Sequence, residues 1–108
     1  MRTVLIVNSK GGCGKSTLAT NLSAYYAREG KSVLLADFDP QASSLQWLKA
    51  RPGERPSIEG VSGLEAGFRL PREADWVFMD APAGIGGAAL TALVRRAQTI
   101  LIPVLPSA

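Results

Sequence analysis

Lys10-Gly11-Gly12-Cys13-Gly14-Lys15-Ser16-Thr17 follows an apolar run, Thr3-Val4-Leu5-Ile6-Val7, and precedes a segment with helical periodicity. Strand, glycine-rich turn and helix in succession form the setting a phosphate-binding loop requires. Glycines let backbone N–H groups converge on anionic oxygens without Cβ obstruction. A helix starting near Gly14 adds unpaired N–H donors and the positive end of its dipole. In such a loop the Lys15 ammonium is placed against the outer phosphates, and the Ser16 hydroxyl is a ligand for Mg²⁺. The expectation is a nucleotide site built from Lys10, Gly11, Gly12, Cys13, Gly14, Lys15, Ser16 and Thr17.

The flanking sequence supplies the rest of an α/β chain. Arg2 to Asn8 reads as a strand, apolar without alternation, as a parallel sheet covered on both faces needs. The helix after the loop is predicted over Lys15 to Glu29, with Leu18, Leu22, Tyr25 and Tyr26 at helical spacing and Gly30 at its C′ position. A second strand, Ser32 to Ala36, runs into Asp37-Phe38-Asp39-Pro40-Gln41. Carboxylates two apart at a strand end point to one side, toward the edge where ligands bind in open parallel sheets. A polar turn capping the next helix is the plainer alternative for this pair. Asp75-Trp76-Val77-Phe78-Met79-Asp80 is a further hydrophobic strand ending in a carboxylate, and after a phosphate loop Asp80 is expected on the Mg²⁺ side.

Between these landmarks, Ala42 to Ala50 reads as a short helix with Leu45 and Leu48 inward and Trp47 a packing residue. Arg51 to Gly63 is loop-like, with a possible edge strand over Ser57 to Val61, and Leu64 to Leu70 could form a helical turn. Gly86 to Ala97 is predicted helical, with Leu90, Leu93, Val94 and Ala97 on one face and Arg95 and Arg96 in the last turn, where cations favour the dipole. Thr99 to Leu105 reads as a further buried strand. Strands alternating with helices predict a P-loop NTPase-type parallel sheet flanked by helices, with right-handed crossovers, in a single domain over residues 1–108.

Composition agrees and excludes several chemistries. An apolar share of 46% and a charged share of 19% suit a globular α/β protein. The net charge of +3 includes two lysines of the loop, and the other basic residues are scattered along the chain, which is no nucleic-acid footprint by itself. With no histidine and one cysteine, zinc sites and His-dependent nucleophilic catalysis lack parts. A single cysteine and no run long enough to span a membrane point to a cytoplasmic protein. Cys13 at a helix start could carry a lowered thiol pKa, although a small loop-filling residue explains it as well.

The loop departs from the usual pattern, with Ser9 where a glycine is expected and an extra Lys10 before Gly11-Gly12. Lys10-Gly11-Gly12-x-Gly14-Lys15-Ser16 resembles the deviant Walker A box of the ParA/MinD (Soj-like) ATPases. The resemblance implies ATP and Mg²⁺ as cofactors and an ATP-sandwich homodimer in which Lys10 reaches the partner's nucleotide. Asp37-Phe38-Asp39-Pro40-Gln41 resembles the family's switch I, which implies that Asp39 positions the attacking water and Asp37 lies near the metal. Ala81-Pro82-Ala83-Gly84 resembles switch II, where the Gly84 amide meets the γ-phosphate. Lys10, Lys15 and Asp39 are then the catalytic candidates, and Ser16, Asp37 and Asp80 the metal-side ones. Asp-Pro-Gln favours the branch that partitions plasmids and chromosomes, with a ParB-like stimulating partner. The resemblance extends over the family's first half, so the chain reads as truncated. Non-specific DNA binding would depend on the later half, and membrane attachment is the weaker expectation. Two alternatives stay open: a nucleotide-binding fragment that does not hydrolyse, and a reductase like the nitrogenase iron protein, which would need further cysteines.

Overall fold

The computed structural model describes residues 1–7, 15–65, 68–70, 73–82 and 84–103. Strand β1 (Arg2–Ile6) leads to helix α1 (Lys15–Arg28), then β2 (Val33–Asp37), α2 (Ser43–Ala50) and β3 (Glu59–Ser62). Strand β4 (Trp76–Asp80), helix α3 (Gly87–Arg96) and β5 (Thr99–Leu101) follow. The strands form one sheet of order β3-β2-β4-β1-β5, and every pairing is parallel. The expected fold class holds, and the possible edge strand is real, shifted to Glu59–Ser62.

The three central strands are apolar on both faces because both faces are covered. Leu5, Leu34, Ala36, Val77 and Met79 point to one side and pack with Leu93 of α3, Phe38 and Ala81. Their neighbours Val4, Ile6, Val33, Leu35 and Phe78 point to the other side and meet Ala19 and Ala27 of α1. That division is the two-residue period of a strand, with apolar side chains at both phases.

Helix α1 meets the sheet through small residues rather than through the large ones its sequence advertises. Ala19, Ser23 and Ala27, spaced four apart, are buried and let the helix approach closely. Leu18, Leu22 and Tyr26 flank that line, whereas Tyr25 is half exposed. Tyr26 stacks on Trp76 with ring centroids 4.0 Å apart, and Trp76 in turn stacks near Phe78 at 5.8 Å. Such aromatic contacts add about 0.5–1.5 kcal/mol beyond area burial. The helix closes as predicted: Gly30 has φ 83°, its N–H bonds to Ala27 O at 3.1 Å, and Lys31 N–H reaches Tyr26 O at 3.0 Å. Those paired bonds are a Schellman motif, which a left-handed residue makes possible.

Several expectations need correction. The strand expected over Thr99–Leu105 is short and is not buried. It ends at Leu101, Thr99 and Ile100 are exposed, and residues 104 and 105 lie outside the described set. The reason is its edge position beside β1, where only one neighbour strand covers it among the described residues. On α3, Leu93 is buried but Val94 is exposed, so the inward stripe is narrower than the expected Leu90, Leu93, Val94 and Ala97 face. On α2 the buried residue is Ser44, while Leu45, Trp47 and Leu48 are half-buried. The stretch from Leu64 contains turns closed by Glu65 N–H to Ser62 O and Phe68 N–H to Glu65 O, with residues 66 and 67 outside the described set.

Candidate functional site

Parallel pairing brings three strand ends level. Ile6 is opposite Asp80, and Asp80 is opposite Asp37, so β1, β4 and β2 finish together at the C-terminal edge of the sheet. The sequence 8–14 that joins β1 to α1 lies outside the described residues. Among the residues expected to bind nucleotide, Lys10, Gly11, Gly12, Cys13 and Gly14 therefore receive no structural description. Lys15, Ser16 and Thr17 open α1 and are described.

Asp80 is the centre of the arrangement and is fully buried. Its Oδ1 pairs with the Lys15 ammonium, which is itself almost entirely buried. Its Oδ2 accepts from Ser16 Oγ at 2.9 Å and from Ser44 Oγ at 2.5 Å. Desolvating a carboxylate is costly unless it is paired and hydrogen-bonded, and here both oxygens of Asp80 have donors. Asp39, on the loop after β2, sets Oδ2 3.8 Å from Lys15 Nζ, and its Oδ1 accepts from Gln41 N–H at 2.9 Å. Lys15 thus stands between Asp39 and Asp80.

Asp37 is buried and serves the backbone. Its Oδ1 accepts from Asp39 N–H at 2.9 Å, and its Oδ2 accepts from Ser44 N–H at 3.1 Å and Leu45 N–H at 3.3 Å. The N-cap position of α2 is Ala42, which has no capping side chain and sits at φ 54°. Asp37 supplies from the strand end the acceptor that an N-cap Ser or Asp would give to the second and third helical N–H groups. The plainer reading of the Asp37-x-Asp39 pair, a turn that caps the next helix, is the one realised at Asp37. Burial pushes its carboxyl above the ordinary value; the Asp39 N–H bond opposes this, and nearby Asp80 reinforces it.

Gly84, expected in switch II, is exposed at φ 69° in the turn between β4 and α3. Thr17 is exposed on the first turn of α1, and its carbonyl accepts from Thr20 Oγ1. The residue that sequence reading missed is Ser44. A serine in the first turn of a helix is ordinary, and nothing in its neighbours signals a bond to a carboxylate 36 residues away.

The donor set suits a hard cation supported by phosphates. Asp80 and Ser16 offer oxygens side by side, and Mg²⁺ is usually held by one or two carboxylates plus substrate phosphates and water. No group of three His, Cys, Asp or Glu side chains among the described residues could hold a metal unaided. Lys15 is the cation of this cluster, paired with Asp80 and 3.8 Å from Asp39.

A parallel α/β sheet with these side chains at its C-terminal edge, beside a glycine-rich β1–α1 connection, defines a nucleotide-binding protein of P-loop NTPase-like fold. Residues 4–103 match the CobQ/CobB/MinD/ParA nucleotide binding domain, and the chain belongs to that family. It is 36% identical over 109 residues to the maintenance of carboxysome distribution protein A of Gloeobacter kilaueensis, covering 98% of this chain and 50% of that one. It is 51% identical over 51 residues to the chromosome-partitioning ATPase Soj of Thermus thermophilus, covering 47% of this chain and 20% of that one. A nucleotide-binding protein of Archaeoglobus fulgidus, solved in complex with ADP, shares the fold with a TM-score of 0.72 at 21% identity, over 94% of this chain and 53% of that one. The chain spans about half the length of the carboxysome-distribution relatives it matches. Among the described residues no helix is long and apolar enough to cross a membrane.

Proposed function

We propose that this domain binds ATP with Mg²⁺ and hydrolyses it within a dimer cycle of the ParA/MinD type. The observation that carries the reading is the convergence of Lys15, Ser16, Asp39 and Asp80 at one sheet edge, directly after the Lys10 to Gly14 sequence. Lys15 exchanges Asp80 for phosphate oxygens when nucleotide binds. Ser16 and Asp80 would hold Mg²⁺, which would supply positive charge against the phosphates. Asp39, the most accessible of the three carboxylates, orients the attacking water, and Asp37 keeps the loop bearing Asp39 in place through Asp39 N–H. Lys10 acts across the dimer on the partner's nucleotide, a cation supplied in trans as an arginine finger is. Gly84 offers its amide to the γ-phosphate.

The names of the relatives, which mention carboxysome distribution and chromosome partitioning, support a positioning role; a chromosome, a plasmid or another large body is the cargo. A ParB-like partner stimulates turnover, non-specific DNA is the track, and the residues that contact it belong to the length these relatives have beyond this match. The cytoplasm is the expected compartment. Calorimetric titration with Mg-ATP, with Mg-GTP as control, tests the site. ATP-selective saturable binding is expected. Phosphate release should fall about 10²-fold or more in Asp39→Ala, while ATP affinity changes little. Equal release rates would remove Asp39 from the mechanism and leave a nucleotide-binding domain without turnover.

A further inference from the structure

Ser44 is fully buried and uses both of its hydrogen-bond donors on carboxylates. Its N–H bonds to Asp37 Oδ2 at 3.1 Å, and its Oγ bonds to Asp80 Oδ2 at 2.5 Å. Nothing else in the helix does this: Ser43, one residue earlier, is exposed. The two oxygens of Asp80 are thereby divided. Among the described residues, Oδ2 is held by two hydroxyls, Ser16 and Ser44, whereas Oδ1 has the Lys15 ammonium.

We propose that Ser44 is a positioning residue for Asp80: it anchors one carboxylate oxygen so that the other stays available to the cation when Lys15 turns to nucleotide. This rests on the reading of the site as a Mg²⁺–nucleotide centre. The physical argument is rotational. A carboxylate that loses its ammonium partner turns freely about its last torsion unless a donor pins one oxygen. Ser16 can donate to Oδ2 with a lone pair on the cation, but its hydroxyl would then serve two partners. The Ser44 hydroxyl serves Asp80, and α2 is fixed to the sheet by the Asp37 cap that binds the same residue's N–H. The same two bonds tie the Asp39 loop to Asp80, since Asp37 also accepts from Asp39 N–H. Displacement of that loop would thus reach the metal-side carboxylate through one side chain. Second-sphere hydrogen bonds of this kind are worth about 10–100-fold in metal affinity.

The test is ADP binding by the full-length protein at graded Mg²⁺ concentration, measured calorimetrically for the unaltered chain, Ser44→Ala and, as the exposed neighbour, Ser43→Ala. Ser44→Ala should raise the Mg²⁺ half-saturation about tenfold or more, leave ADP affinity in chelator within about twofold, and differ from Ser43→Ala, which should match the unaltered chain. A purely structural role would weaken ADP binding with and without Mg²⁺ alike. Should Ser44→Ala fail to fold by circular dichroism, Ser44→Cys, similar in size but a weak donor, takes its place with a severalfold rise expected. An unchanged Mg²⁺ requirement in the folded variant would overturn the role of Ser44 while leaving the nucleotide site intact. Absence of any Mg²⁺ effect on ADP binding in the unaltered chain would overturn the metal reading and this inference together.

Discussion

Asp37 and Asp80 stand opposite one another at the ends of β2 and β4, but Asp37 is occupied by backbone N–H groups and Asp80 by side-chain donors. Two carboxylates in the same register therefore do different work: one builds the loop and helix, and the other presents oxygens to the site.

The titration of Asp37 should show in stability. Burial raises its pKa, so the folded chain keeps a proton that the unfolded chain releases. That contribution is complete below about pH 4 and is lost as pH rises through the folded pKa. Relative to Asp37→Asn, the unaltered protein should lose stability as pH rises above about 4, measured as urea midpoints on nucleotide-free samples. A difference that does not vary with pH would show that Asp37 has the same pKa in both states.

Lys15 should matter before any nucleotide arrives. It is nearly buried against a fully buried Asp80, and removing one member of such a pair typically costs about 3–5 kcal/mol. Lys15→Met is expected to destabilise the nucleotide-free protein by an amount of that order. Adding Asp80→Asn should recover a substantial part, because the uncompensated charge is gone. Additive losses in chemical denaturation would contradict the pairing.

Gly63 is required by Phe38. A Cβ at Gly63 would lie 2.3 Å from a ring carbon of Phe38, and that ring is buried and in edge contact with Phe68 at 5.5 Å. Gly63→Ala should cost about 1–3 kcal/mol. Phe38 lies between Asp37 and Asp39, so the same variant should also weaken nucleotide-dependent turnover. Full stability in Gly63→Ala would mean that the ring yields.

Two left-handed residues should respond in opposite directions. Gly30 closes α1 at φ 83°, and Gly30→Ala is expected to lower stability by about 1 kcal/mol. Ala42 precedes α2 at φ 54°, and Ala42→Gly should be neutral or stabilising by up to about 1 kcal/mol, because the cap comes from Asp37. Thermal midpoints of the two variants, taken together, check the sign.

Apolar runs and helix-closing Gly30 were readable without coordinates because strand hydrophobicity and the C′ glycine act locally. Misreadings arose where burial depends on the neighbour. Thr99-Ile100-Leu101 has the composition of a central strand but lies at a sheet edge, and composition does not reveal strand order. The apolar residues of α1 flank the contact because Ala19, Ser23 and Ala27 allow a closer approach.

By itself the sequence determined the parallel α/β class, the position of the phosphate-loop sequence and the candidacy of Lys15, Ser16, Asp37, Asp39 and Asp80. Strand-end carboxylates after a glycine-rich turn are a short-range pattern, and periodicity along the chain is enough to place them. Tertiary structure alone decided which carboxylate caps a helix and that Ser44 joins Asp37 to Asp80. It also decided that Arg28, Arg51 and Arg55, scattered in sequence, line one cleft with Tyr25. These are contacts between elements. Their existence depends on strand order, register and helix approach, which are set by the packing of the whole chain rather than by any one segment of it.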